Sequence, residues 1–410
     1  MAMRLLACVA ALALAGCGSG SPGSESSATA PTELPELASP AAPGSAQAHL
    51  SAGKDGSVYL SWLETRGDGA HALRFAQLAA GEERWSAPVT VVENKDLMAN
   101  WADFPSLLPT HTGRLVAQWL QHGGSDDEAY EARIAQSTDA GITWSASRVL
   151  HDDGVAAEHG FVSLLDAPDG KVQAVWLDGR NTVLPDTEPQ TQLAFTTISP
   201  EGMPAATELI DTRTCDCCQT DAAWAADGPV VAYRDRSADE VRDISVMRRI
   251  NDVWSAPVPV HADGWRIEGC PVNGPAIAAR GALVAVAWFT GAQSRERVSL
   301  AFSQDGGASF GQPLPVDEGT PLGRVDLVLD AAGNAVVSWL ERGEEATARV
   351  LLRRLHPDGS RSAALEVART AAARSSGFPR MVAVDDAVML AWTDPAEPSR
   401  VRVARARPGP

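Results

Sequence analysis

The chain is predicted to be all-β and to fold as a β-propeller of four-stranded blades, with seven blades preferred and six the alternative. Three observations carry this. Seven segments share an apolar, alternating run that closes on an aromatic: VYLSWLE (58–64), LVAQWLQ (115–121), VQAVWLD (172–178), VVAYRD (230–235), VAVAWF (284–289), AVVSWLE (335–341) and VMLAWTD (388–394). Their aromatics, Trp62, Trp119, Trp176, Tyr233, Trp288, Trp339 and Trp392, are spaced by 57, 57, 57, 55, 51 and 53 residues, and self-similarity at a fixed period marks a repeat architecture. The third observation is period-two alternation with Gly, Asp and Asn at the turns, which reads as strand throughout and leaves no amphipathic helix of useful length.

Taken in order, the chain opens with Arg4 and an apolar run from Leu5 to Leu14. That is a signal-peptide core, too short to span a bilayer. Leu14-Ala15-Gly16-Cys17 resembles the bacterial lipobox, so residues 1–16 are expected to be removed and Cys17 to carry lipid. Gly18, where Asp would signal retention, points by the same resemblance to the outer membrane. The Gly/Ser/Pro/Ala-rich stretch over 17–46 reads as a flexible tether, and 47–410 as the propeller. The expected location is therefore the cell envelope, lipid-anchored and facing the periplasm or the cell surface.

Within each repeat a weaker strand such as HLSAG precedes the aromatic run, a third such as LRFAQL or VSLAFS follows it, and a fourth such as WSAPVTVV comes after a turn. Radial repetition of such sheets leaves short, protected edges, and the aromatics are expected to wedge between neighbouring blades as core. The last repeat ends one strand short, and TELPELAS (32–39) is the candidate to complete it despite its two prolines.

Two repeats carry a sharper marker. Ser137, Asp139, Gly141 and Trp144 in STDAGITW, and Ser303, Asp305, Gly307 and Phe310 in SQDGGASF, fit S-x-D-x-G-x-[ST]-[WF]. This is the Asp box, and the chain resembles the sialidase-like (BNR repeat) propellers over about residues 48–407. The motif is turn chemistry: the acid bonds hairpin amides, the glycine takes an unusual φ and the aromatic pins the turn. The resemblance places these turns on the face opposite the sialidase active site.

Loops that enter the first strand, and loops joining the second to the third, then share the other face and converge on the channel mouth. Candidate ligand-binding residues there are Asp103, His159, Asp178, Arg180, Arg234, Asp235, Arg236, Arg242, Asp243, Arg324 and Arg380. The charged run RDRSADEVRD (234–243) is equally readable as a solvated loop.

Cys215, Cys217 and Cys218 in TCDCCQTD and Cys270 in GCPVNG open adjacent repeats at equivalent places. Two readings stay open: disulfides, permitted outside the cytoplasm, or a thiolate site for zinc or copper, given the Cys-x-x-Cys spacing.

What the resemblance implies about activity is divided. Sialidases use an arginine triad on a substrate carboxylate, a tyrosine–glutamate nucleophile and an aspartic acid. The early Phe-Arg-Ile-Pro segment is missing here, and Tyr59, Tyr130 and Tyr233 lack the expected frame. The favoured expectation is a propeller binding a glycan, peptide or envelope protein on its loop face, with a divergent exo-α-sialidase as the alternative. The net charge of −18, from 34 Lys+Arg against 52 Asp+Glu, argues against a nucleic-acid partner.

Overall fold

The computed structural model describes residues 36–123 and 129–409. The signal segment, Cys17, most of the tether and part of the loop at 122–130 lie outside the described residues.

Seven antiparallel sheets follow one another along the chain, which fixes the blade count at seven. The first blade shows the pattern: Ser45–Ala52 innermost, then Val58–Thr65, His71–Leu78 and Val89–Asn94. In the second to sixth blades the innermost strands are Ser106–Pro109, His159–Asp166, Asp221–Ala225, Ala276–Arg280 and Pro321–Leu329. In the seventh, Arg380–Val384, Ala387–Asp394 and Arg400–Ala406 are completed from the other end of the chain by Glu36–Leu37. Glu36 pairs with Ala404 and Leu37 with Val403. Parts of the stretch read as tether, Glu36–Leu37 and Ser45–Ala46, are thus paired within sheets. Among the described residues helix is confined to the turn Arg180–Val183 and to 3-10 turns at Ala292–Ser294 and Arg374–Ser376.

The core is divided into seven seams. Each of the seven repeat aromatics is at most 1 % exposed and packs into the preceding blade: Trp62 against Met389 and Val401, Trp176 against Val116 and Ile134, Tyr233 against Val175 and Phe195, Trp339 against Ala287 and Leu300. The acid two residues on explains the recurring Trp-x-Glu/Asp. The indole N–H of Trp62 donates to Glu64 at 3.2 Å, that of Trp176 to Asp178 at 3.1 Å and that of Trp339 to Glu341 at 2.8 Å. A buried indole needs such a partner.

The two Asp boxes are superposable in chemistry. Asp139 accepts from the Thr143 N–H at 2.9 Å and Ser137 Oγ accepts from the Gly141 N–H at 2.8 Å; Asp305 accepts from Ser309 N–H at 2.9 Å and Ser303 Oγ from Gly307 N–H at 2.8 Å. Gly141 and Gly307 sit at φ +87° and +88°, a conformation that costs other residues most. Trp144 meets Phe75 of the preceding blade edge-on at 6.1 Å, and Phe310 packs on the seam beside blade four.

Candidate functional site

The inner strands deliver their first residues to the channel mouth, and three of them do so through a kink. Register shifts occur between Ala46 and His49, between Gly160 and Ser163, and between Gly323 and Asp326. Gln47, Phe161 and Arg324 there adopt φ of +56°, +56° and +52°. Left-handed backbone at non-glycine residues is costly, by about 1–3 kcal/mol each, and gathers where a fold re-aims side chains.

A pocket lies at the centre, lined by His49, Ser51, Asp103, Ser163, Thr220 and Arg380 among others. Three acids around it each tie one blade to the next, at alternate seams. Asp103 accepts from Phe161 N–H at 2.7 Å, Asp221 from Ile277 N–H at 2.8 Å, and Asp326 from Met381 N–H at 2.6 Å. Burial pushes the Asp103 carboxyl up to about 7, with the neighbouring Glu158 adding to it, and Asp221 up to about 6. Desolvation, aided by the Arg380 charge, holds His49 down at about 3 and hence neutral. His49 Nδ1 and Ser51 Oγ are buried and have no hydrogen-bond partner.

Arg234 and Arg324 do something other than face this space. Arg234 is 2 % exposed; its guanidinium donates to the carbonyls of Asn273 at 2.7 Å, Phe289 at 2.8 Å and Arg242 at 2.6 Å, and lies 4.8 Å from the Trp265 ring centroid. Arg324 donates to Ser376 Oγ at 2.7 Å and the Gly377 carbonyl at 3.0 Å, beneath Trp101. Burial lowers its pKa to about 10. Both were candidates for ligand contact; their donors instead hold loops of neighbouring blades, because a buried guanidinium must be saturated. Arg380 does line the cavity, paired with Asp326 at 3.4 Å.

The remaining candidates divide into two groups. His159, Asp178 and Arg180 form a closed network with Asp153 and His151 between blades two and three. Arg180 reaches Asp178 at 2.8 Å and Asp153 at 2.9 Å, and the two imidazoles stack at 3.6 Å. In the 234–243 loop Arg236 pairs with Glu240 at 2.7 Å, Asp235 accepts from Ser245 Oγ at 3.0 Å, and Asp243 accepts from the amides of Gly264 and Trp265. These charges brace a hairpin rather than fray into solvent.

The cysteines meet as their loops suggested. Cys215 Sγ lies 3.4 Å from Cys218 Sγ and 3.8 Å from Cys217 Sγ. The donor atoms of Asp216, Cys217 and Cys270 lie within 4.8 Å of one another, so Cys217 joins the two blades. All four are free thiols in the structure. Hydrogen bonds from Cys217 and Cys218 hold Cys215 far below the ordinary thiol range, against the burial that would raise it. Arg242 Nη1 stands 3.4 Å from its sulfur. Tyr130 is buried nearby; desolvation raises its pKa, and the charges of Asp103 and Glu158 raise it further.

Sequence reasoning passed over His49, Ser51 and Asp221, and set Tyr130 aside for want of a glutamate–arginine frame. The acids Asp103, Asp221 and Asp326 stand 118 and 105 residues apart, about two repeats each time, and that interval was the available signal.

Seven blades of antiparallel strands around a polar, kinked channel mouth define a seven-bladed β-propeller. No family model matches the sequence, and no curated protein matches it. Among solved structures it is similar to the polysaccharide lyase Uly1 (TM-score 0.53, 10% identity, 88% of this chain and 89% of that one). It is also similar to an α-L-arabinanase from Penicillium chrysogenum complexed with arabinobiose (TM-score 0.50, 11% identity, 92% and 99%). The intramolecular trans-sialidase from Ruminococcus gnavus follows at TM-score 0.46, with 12% identity over 88% and 94%. Each likeness is one of fold.

Proposed function

We propose that this chain is a lipid-anchored propeller of the cell envelope that binds a neutral, hydroxyl-rich ligand of the glycan class at its channel mouth, without cleaving sialosides. The observation that carries this is the state of the groups around the cavity. Arg234 and Arg324 are spent on backbone carbonyls, which leaves Arg380, 3.4 Å from Asp326, as a lone guanidinium at the cavity wall. A sialic acid carboxylate wants converging, uncommitted guanidiniums. Neutral His49 and the hydroxyl of Ser51, both without partners, suit hydroxyls that donate and accept. Lipid at Cys17 would keep the ring at the membrane while the tether frees its loop face.

The test is calorimetry of the full mature chain with panels of neutral and sialylated oligosaccharides. Neutral members are expected to bind, and Ser51→Ala to weaken them by about tenfold, the worth of one hydrogen bond. Binding confined to sialylated members, or unchanged in Ser51→Ala, overturns the reading. A second reading, a divergent glycoside hydrolase, is favoured by the position of Tyr130 beside Asp103 and Glu158. Turnover of a fluorogenic sialoside that vanishes in Tyr130→Phe would establish it, since that change removes one oxygen.

A further inference from the structure

We propose that Cys215, Cys217 and Cys218, with Cys270 as a fourth sulfur, hold a thiophilic closed-shell cation, monovalent copper or zinc, at the channel mouth. This does not depend on the glycan reading above.

The spacing of the sulfurs is the first argument. A cation about 2.3 Å from each sulfur of a tetrahedral set separates the sulfurs by about 3.8 Å. The observed separations are 3.4 Å and 3.8 Å. A disulfide would need about 2.05 Å. Three thiols crowded on Cys215–Cys218 also cannot all pair among themselves, and bridging the adjacent Cys217 and Cys218 would distort the backbone between them.

Charge is the second. Two or three thiolates in a buried place need compensation beyond the cation itself. Arg242 supplies it: its Nη1 lies 3.4 Å from Cys215 Sγ, while its Nη2 is fixed by Glu240 at 2.9 Å. Partners of this kind orient ligands and tune a site. Cys215 and Cys218 are 1 % and 2 % exposed, so the sulfurs are shielded from water. Cys270 is exposed and arrives from the next blade beside Asp216.

This graded exposure also separates the two ions. Monovalent copper is satisfied by two or three sulfurs, and zinc prefers four donors. With copper, Cys215, Cys217 and Cys218 suffice and Cys270 stands by as the entry thiol. With zinc, Cys270, which groups with Cys217 and Asp216 and not with Cys215 and Cys218, must swing in to close the shell, and the ion then cross-links blades four and five.

The experiment uses the full mature chain, reduced, stripped with chelator and kept anaerobic. Copper(I) is titrated against a bicinchoninate competitor and zinc against a chromophoric chelator, with thiols counted by a disulfide reagent before and after loading. One equivalent of one ion is expected to bind and to protect at least three thiols. Cys217→Ser is expected to weaken binding by at least about tenfold, the lower end of what loss of even a supporting partner costs. Because Cys270 is exposed, Cys270→Ser leaves the fold intact: it should match the Cys217→Ser loss if zinc is the ion and fall well short of it if copper is. Reduced, folded protein that binds neither ion stoichiometrically, or binds equally well in both variants as in the parent, overturns the proposal. So does protein whose four thiols, with one equivalent of either ion added, are converted to two disulfides by oxidised glutathione as readily as in the metal-free protein.

Discussion

Replacing Asp103 by Asn should stabilise the protein, by an amount that grows with pH. Burial carries this carboxyl from 3.8 to about 7 while the Phe161 amide, 2.7 Å away, pulls the other way. The sign follows from proton counting. Well below about pH 4, folded and unfolded chains both keep most of the proton, and Asp103 costs little. Between about pH 4 and 7 the unfolded chain has released its proton while the folded chain retains it, so stability falls as pH rises. Above about 7 both are ionised and the penalty is complete. A difference of about three decades in proton affinity, at 1.36 kcal/mol each, makes that penalty about 4 kcal/mol. Asn keeps a carbonyl for the Phe161 N–H and carries no charge. Asp221 titrates in both proteins and cancels. Urea unfolding followed by tryptophan fluorescence at intervals from about pH 4 to 8.5 should show the variant close to the parent at the acid end and about 4 kcal/mol more stable at the basic end. A gap that does not widen with pH would refute the reasoning.

Other substitutions probe the frame. Trp288→Ala empties the seam between blades four and five and leaves Asp263 without the indole donor at 2.7 Å; denaturant melts should show a loss of about 3–5 kcal/mol. In Gly141→Ala the new methyl would sit 2.4 Å from Phe75 Cζ at φ +87°, so a loss of about 2–3 kcal/mol is expected, with ligand binding unchanged by calorimetry because this turn faces away from the mouth. Deleting residues through Leu37 bares the Arg400–Ala406 edge and removes the Arg402–Glu36 pair at 3.2 Å. Sedimentation should then reveal concentration-dependent association, as unpaired edges recruit partners, alongside a lower Tm.

Much of this architecture was legible because the signals are periodic. A buried aromatic every fifty-odd residues, followed at Trp62, Trp176 and Trp339 by the acid that accepts from it, repeats in sequence as it does in space. The Asp boxes are equally local, each closed within seven residues, and the two cysteine loops fall at equivalent points of adjacent repeats. What escaped depends on neighbours far along the chain. Nothing about Arg234 or Arg324 announces that backbone carbonyls some 40 to 55 residues away will use up their donors. The left-handed turns at Gln47, Phe161 and Arg324 are borne by residue types that carry no such preference, so the kinks that shape the mouth are silent in the sequence. Glu36–Leu37 could be guessed only from a deficit, the missing outer strand of the last repeat. His49 and Ser51 alternate like any strand residues, and only the ring makes their side chains into the wall of a cavity.

The clasp at Glu36–Leu37 has a mechanical corollary. Any pull on the chain ahead of Glu36 is delivered first to two residue pairs and one surface ion pair, and only afterwards to the seven tryptophan and tyrosine seams. Under load the outer strand of the seventh blade is expected to unlatch first, and the innermost strand of the first blade, Ser45–Ala52, is the next segment along the chain to take the strain.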